Sequence, residues 1–147
     1  MGVSLFFRTM TILTLAGAAG CTTSRQSAVG FRLPENGNID RGNAAFAALN
    51  CHACHTVKGV ELPAVESAIT TKVPLGGDVY EVRTDGYLVT SIIHPSHKLA
   101  SQPKERISVE GESKMPDYTH RMSVRQLIDL VAFLQSTYRV LPPPVVH

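Results

Sequence analysis

A chain of 147 residues with 14 basic and 12 acidic side chains carries a formal charge of only +2. That balance excludes a nucleic-acid binder, which needs a concentrated basic face, and gives no strong long-range steering of a charged partner. The length fits one small domain with a modest core, and no internal repeat points to more.

The N-terminal residues 1–20 hold one charge, Arg8, then an apolar run from Met10 to Gly20 broken only by Thr11 and Thr14. The run is too short to cross a bilayer as a helix and ends in small residues, the pattern of a secretory signal peptide. Cys21 follows directly. The segment from Leu15 to Gly20 before it resembles a bacterial lipobox, although Ala18 stands where Leu is commonest. The resemblance implies cleavage before Cys21 and lipidation of its thiol. The alternative is ordinary cleavage after Ala18 or Gly20, with Cys21 left as a spare thiol. Each buried lipid methylene contributes about 0.8 kcal/mol, so two or three chains anchor a protein durably. Residues 21–38, rich in Ser, Thr, Gly and Asn, then form a flexible tether that spans at most ~55 Å when extended. The expected location is the periplasmic side of a bacterial membrane.

Asp40 is the expected N-cap of a first helix from Arg41 to about Asn50. Its run Ala44-Ala45-Phe46-Ala47-Ala48-Leu49 is mostly small, which permits close approach of another helix. The helix leads into Cys51-His52-Ala53-Cys54-His55, a Cys-x-x-Cys-His motif and the attachment signature of a c-type haem. The thiols of Cys51 and Cys54 can add across two vinyl groups of one porphyrin, and His55 then offers its imidazole to the iron. A bare Cys-x-x-Cys also serves thioredoxin-like proteins and half of many zinc sites. The chain has 3 cysteines and no second pair to complete a four-cysteine site. A disulfide or metal clip made by Cys51 and Cys54 is the competing possibility. A single motif implies a single covalent haem.

Gly59 and Pro63 follow in a loop of little regular pattern, and Gly76-Gly77 marks a turn. Asp85 is the expected cap of a second helix from Gly86 to about Ile93, ended by Pro95. A polar loop runs from Ser96 to Lys114 and contains Gly111. Ser123 with Gln126 makes a capping box for the clearest helix of the chain. There Leu127, Leu130, Val131, Leu134 and Tyr138 fall at helical spacing. Leu130, Val131 and Leu134 are expected to pack near Ala45, Phe46 and Leu49. A Pro-rich tail occupies residues 142–147.

Taken together, the first helix with its haem motif, Tyr87-Leu88, Ser91-Ile92-Ile93-His94-Pro95, Lys114-Met115-Pro116 and the segment Leu127 to Tyr138 resemble the class I cytochromes c over residues 40–138. The middle portion is most similar to bacterial cytochrome domains found alone or fused to oxidase subunits. The resemblance implies a small all-α fold over residues 39–141, with N- and C-terminal helices crossing and a haem in a cleft. It makes His55 the proximal iron ligand and Met115 the distal one. The loop after His55 lacks a clear Gly-Pro-x-Leu pattern, and residues 70–83 have no close counterpart in the family.

Met115 also has a physical case. Thioether sulfur favours ferrous iron, so a His/Met pair raises the potential, and Pro116 stiffens the loop. The competing ligands are Met122, His94, His97 and His120, with His120 the strongest of the histidines. His52 is expected to face outward and His147 to be a terminus. The carbonyl of Pro63 is the expected acceptor for the His55 ring proton. Tyr80, Arg83, Tyr87 and Tyr118 are candidates to line the cleft or meet the propionates.

These features imply an electron carrier rather than an enzyme. Its expected partners are a membrane donor and an acceptor such as a terminal oxidase or reductase. A haem enzyme or gas sensor with a labile sixth position, or a subunit of a larger redox complex, is the alternative.

Overall fold

The computed structural model describes residues 31–66 and 71–143. The expected signal peptide, the lipidation site Cys21, most of the tether and His147 lie outside the described residues.

The elements in chain order are α1 (Ile39–Ala48), β1 (His55–Val57), β2 (Val73–Leu75), β3 (Gly77–Val79), α2 (Asp85–Ile93), α3 (Lys104–Ile107), β4 (Ser108–Val109), β5 (Glu112–Ser113), α4 (Val124–Thr137) and β6 (Tyr138–Val140). The helices form the frame of the expected fold. The strands depart from a purely helical architecture. They make three two-stranded ladders: β1 parallel to β2, β3 parallel to β6, and β4 antiparallel to β5. Each strand has two or three residues, too few to show a period-two pattern in the sequence. They exist because interhelical backbone that is partly buried must still pair its N–H and C=O groups.

Helix α1 starts two residues earlier than expected. Asn38, not Asp40, is its cap, the side-chain oxygen accepting from the Arg41 N–H at 2.8 Å. Asp40 sits in the first turn, where a carboxylate is still favoured by the helix dipole. The helix stops at Leu49 because Asn50 adopts a left-handed conformation, φ 60°, a common way to end a helix. Helix α2 is likewise capped one residue early, by Thr84, whose hydroxyl accepts from the Tyr87 N–H at 3.1 Å. Asp85 is needed elsewhere. Buried to 1 % exposure, it accepts from the Leu33 N–H and from Gln135 Nε2, both at 3.3 Å. The capping box of α4 is formed as expected between Ser123 and Gln126.

The core lies where α1 meets α4. Ala45 and Phe46 pack with Leu130, Val131, Phe133 and Leu134, and Leu88 and Val89 of α2 join them. The rings of Phe46 and Phe133 meet edge to face with centroids 5.7 Å apart. Full burial of such side chains contributes about 1.5–3 kcal/mol each. The close approach depends on Gly42, where a Cβ would lie 2.1 Å from the Asp129 carbonyl oxygen and 2.6 Å from the Phe133 Cβ. Beside it the buried carboxylate of Asp129 takes Arg41 Nε at 2.8 Å, Arg41 Nη2 at 3.1 Å and the Asn38 N–H at 2.8 Å. The hydrogen bonds from Arg41, first among the causes, hold the Asp129 carboxyl below the usual carboxylate range. Residues 33–38, within the span read as tether, are therefore hydrogen-bonded to α2 and α4.

Candidate functional site

Beyond the end of α1 the chain makes a 3-10 turn, Cys51–Ala53, closed by the Cys54 N–H on the Cys51 carbonyl at 3.1 Å. The expected helix, read as reaching about Asn50, ends at Ala48, and this turn carries the motif. It delivers Cys51 to the edge of the core and Cys54 and His55 to a cleft of about 480 Å³. Burial pushes the Cys51 thiol up to about 11 and raises that of Cys54 as well. His52, expected to face outward, is half-buried, and its Nδ1 is buried without a hydrogen-bond partner.

His55 begins β1, and this strand decides the orientation of its ring. Pairing of β1 with β2 puts Val73 opposite His55. The ring Nδ1 then lies 3.2 Å from the Val73 carbonyl oxygen. A carbonyl can only accept, so Nδ1 carries the proton and Nε2 keeps its lone pair. Val73, and not Pro63, is thus the acceptor. The signal was present in Val73-Pro74, because a following proline forces the extended backbone that pairs with β1. Burial pulls the His55 pKa below its usual value, so the ring is neutral at neutral pH, the form that ligates a metal. The neighbouring Lys72 donates to the carbonyls of His52 at 2.8 Å and Ala53 at 2.5 Å. Segment 72–73 therefore grips the motif twice, through a carbonyl and through an ammonium group.

The opposite wall comes from the long segment between α2 and α4. The polar loop expected from Ser96 to Lys114 contains α3, β4 and β5. A turn through Glu110 (φ 51°) and Gly111 (φ 85°) joins β4 to β5, and both left-handed residues suit a tight hairpin. The Ser96 hydroxyl accepts from the Ser113 N–H at 3.0 Å, and the Ser113 hydroxyl accepts from the Met115 N–H at 3.1 Å. Met115 is half-buried and lines the cleft that Cys54 and His55 also line. None of its competitors does. Met122 packs against the hydrophobic core, and His94, His97 and His120 are exposed and outside the lining.

Of the four second-sphere candidates, Arg83 and Tyr87 line the cleft, with the guanidinium carbon 4.9 Å from the Tyr87 ring centre. Tyr80 is 64 % exposed and lies outside it. Tyr118 is buried outside the cleft lining, and its hydroxyl donates to the Leu49 carbonyl at 3.1 Å. Tyr138, read as a helix position, caps α4 and lines the cleft from β6.

The donor set fits a covalently attached haem. The Cys54 thiol lines a cleft of ligand-sized volume, and Cys51 sits one 3-10 turn before it at the edge of the core. A neutral imidazole with a fixed tautomer and a soft thioether line the cleft walls, together with the apolar side chains of Leu75, Val79, Leu88 and Leu134. Among the described residues no group of three or more His, Cys, Asp or Glu side chains could hold a bare metal ion instead.

The cytochrome c family model matches residues 39–138. No curated protein and no solved structure matches the chain. The matched span opens with α1 and closes at the end of α4, so it contains the motif, both cleft walls and the core that joins them. The chain belongs to the cytochrome c family: it is a haem-containing electron-transfer protein with one covalent haem c.

Proposed function

We propose that the protein is a single-electron carrier whose haem is held by Cys51 and Cys54 through thioether bonds and ligated by His55 and Met115. The observation that carries this reading is the shared cleft: His55 and Met115 both line it, and the four other candidate ligands do not. When bound, the haem supplies a one-electron ferric/ferrous couple. The chain supplies the rest. Val73 fixes the His55 tautomer, Ser113 holds the backbone of Met115, and the apolar wall keeps water from the ligands. A saturated iron in a rigid pocket suits electron transfer and leaves no open position for substrate chemistry, so the protein is a carrier and not an enzyme.

The setting follows from the N-terminal segment. The apolar run before Cys21 supports export, and its small residues support lipid attachment at that cysteine. The carrier then works at the periplasmic face of a membrane, between a membrane-bound donor and an acceptor such as a terminal oxidase or reductase.

Near-infrared magnetic circular dichroism of the oxidised protein tests the ligand pair. A thioether-to-iron charge-transfer band is expected in the wild type. In Met115→Ala the band disappears, the potential falls and cyanide binds rapidly. A bis-histidine band in the wild type, or an unchanged potential and spin state in Met115→Ala, rules out Met115.

A further inference from the structure

Tyr118 lies three residues beyond Met115, in a stretch where Pro116, Asp117, Thr119 and His120 are all exposed. Tyr118 alone turns inward, to 7 % exposure. The turn that directs it is fixed by Asp117, whose carboxylate accepts from the Thr119 N–H at 2.8 Å and the Thr119 hydroxyl at 2.7 Å. The Tyr118 hydroxyl donates to the carbonyl of Leu49, the C-cap of α1. A helix end leaves its last carbonyls without intrahelical donors, and this bond satisfies one of them. Burial, with the Cys51 thiol as a further cause, pushes the Tyr118 pKa up to about 12. One phenol thus joins two features far apart in sequence: the Met115 loop and the end of α1, two residues before the first haem-bearing cysteine.

The length of the link matters. Three residues span at most about 10 Å. A fixed Tyr118 therefore confines the Met115 backbone from one side, while Ser113 holds it from the other.

We propose that Tyr118 is a positioning residue that sets how readily Met115 leaves the iron, by tying the Met115 loop to the helix end that carries Cys51. The inference rests on Met115 as the distal ligand. Ring burial alone would make Tyr118 a packing residue. The hydroxyl bond makes it a latch, and the two roles separate on removal of one oxygen.

The test uses the full-length, haem-loaded protein. Cyanide binding to the ferric form reads Met115 dissociation, and the near-infrared thioether band reads its ligation. Tyr118→Phe keeps the ring and removes the hydroxyl. It is expected to retain the band and bind cyanide about tenfold faster, the equivalent of about 1.4 kcal/mol. Asp117→Ala, an exposed change that loosens the turn, is expected to raise the rate about two- to threefold and serves if Tyr118→Phe does not fold. Asp129→Asn weakens the α1–α4 pair away from the loop and is expected to leave the rate at the wild-type value. A wild-type band with unmoved rates in Tyr118→Phe and Asp117→Ala overturns the proposal alone. So does an equal acceleration in Asp129→Asn, which would mark the effect as general loosening. Absence of the thioether band in the wild type overturns Met115 ligation, and the proposal with it.

Discussion

The wall that carries His55 and the wall that carries Met115 face one cleft but are held in different ways. Around His55 the chain pairs backbone to backbone: β1 lies in register with β2, and the ring itself is bound by a carbonyl of that ladder. On the other wall the β4–β5 ladder and the bond from the Lys114 N–H to the Ile107 carbonyl at 2.8 Å stop just short of Met115, and the ties from there on are single side-chain hydroxyls, from Ser113 and Tyr118. A ladder survives most substitutions because its groups belong to every residue. A chain of hydroxyls loses a link with each one removed. The comparison teaches that the proximal side is built for permanence, and that exchange of the iron's ligands is governed from the distal side.

The largest expected effect lies outside both walls and serves as their reference. Asp129→Asn leaves Arg41 with a weaker partner and is expected to cost about 1.5–3 kcal/mol in chemical denaturation, the range for hydrogen bonds to charged groups. Its pH dependence is distinctive. The Asp129 carboxyl is held below its usual range in the folded protein. Its contribution is therefore complete above the unfolded value near ~4 and lost as pH falls through the lower folded value. The wild type should lose stability on acidification through that window more steeply than Asp129→Asn, and equal slopes would count against the pair.

A smaller effect is expected from Lys72→Met, which removes an ammonium group from two carbonyls of the motif. A loss of about 2 kcal/mol is expected, together with a lower potential, since a nearby positive charge favours the reduced iron. Redox titration against Lys72→Arg checks this. The cyanide-binding rate should stay unchanged if the ladder alone fixes the proximal side, and acceleration would break the contrast between the walls.

The smallest effect is expected from Ser113→Ala, about 1 kcal/mol or less of stability. The same change should nevertheless accelerate cyanide binding, because it frees the Met115 backbone. Stopped-flow measurement beside Lys72→Met makes the comparison quantitative. A rate for Ser113→Ala no faster than for Lys72→Met would show that the two walls do not differ.

Much of this arrangement was legible in the residues. The α4 helix announced itself through Ser123, Gln126 and the apolar spacing of Leu127, Leu130, Val131 and Leu134, all local signals. Small residues in α1 foretold a close helix contact, although Gly42 rather than the alanines makes the tightest point. The Ser123 cap of α4 was read correctly, whereas the caps of α1 and α2 were misplaced by two residues and one, Asn38 for Asp40 and Thr84 for Asp85. Both carboxylates are good caps in isolation, and a distant demand on Asp85 was invisible in the chain. The ladders were missed because two or three residues carry no period. Tyr118 was set among cleft residues because nothing nearby in sequence reveals a carbonyl at Leu49.

By itself, the sequence determined the chemistry: two thiols and an imidazole at fixed spacing, a soft sulfur downstream, and the amphipathic helices that enclose an apolar cleft. Those properties are local, encoded in side-chain type and in separations of two to four residues. Only the tertiary structure decided which carbonyl orients His55, which of several sulfurs and imidazoles shares its cleft, and which hydroxyl ties the Met115 loop to the end of α1. These choices depend on contacts between residues as much as 69 positions apart. Their geometry comes from packing α1 against α4, and no neighbouring residue in the chain specifies it.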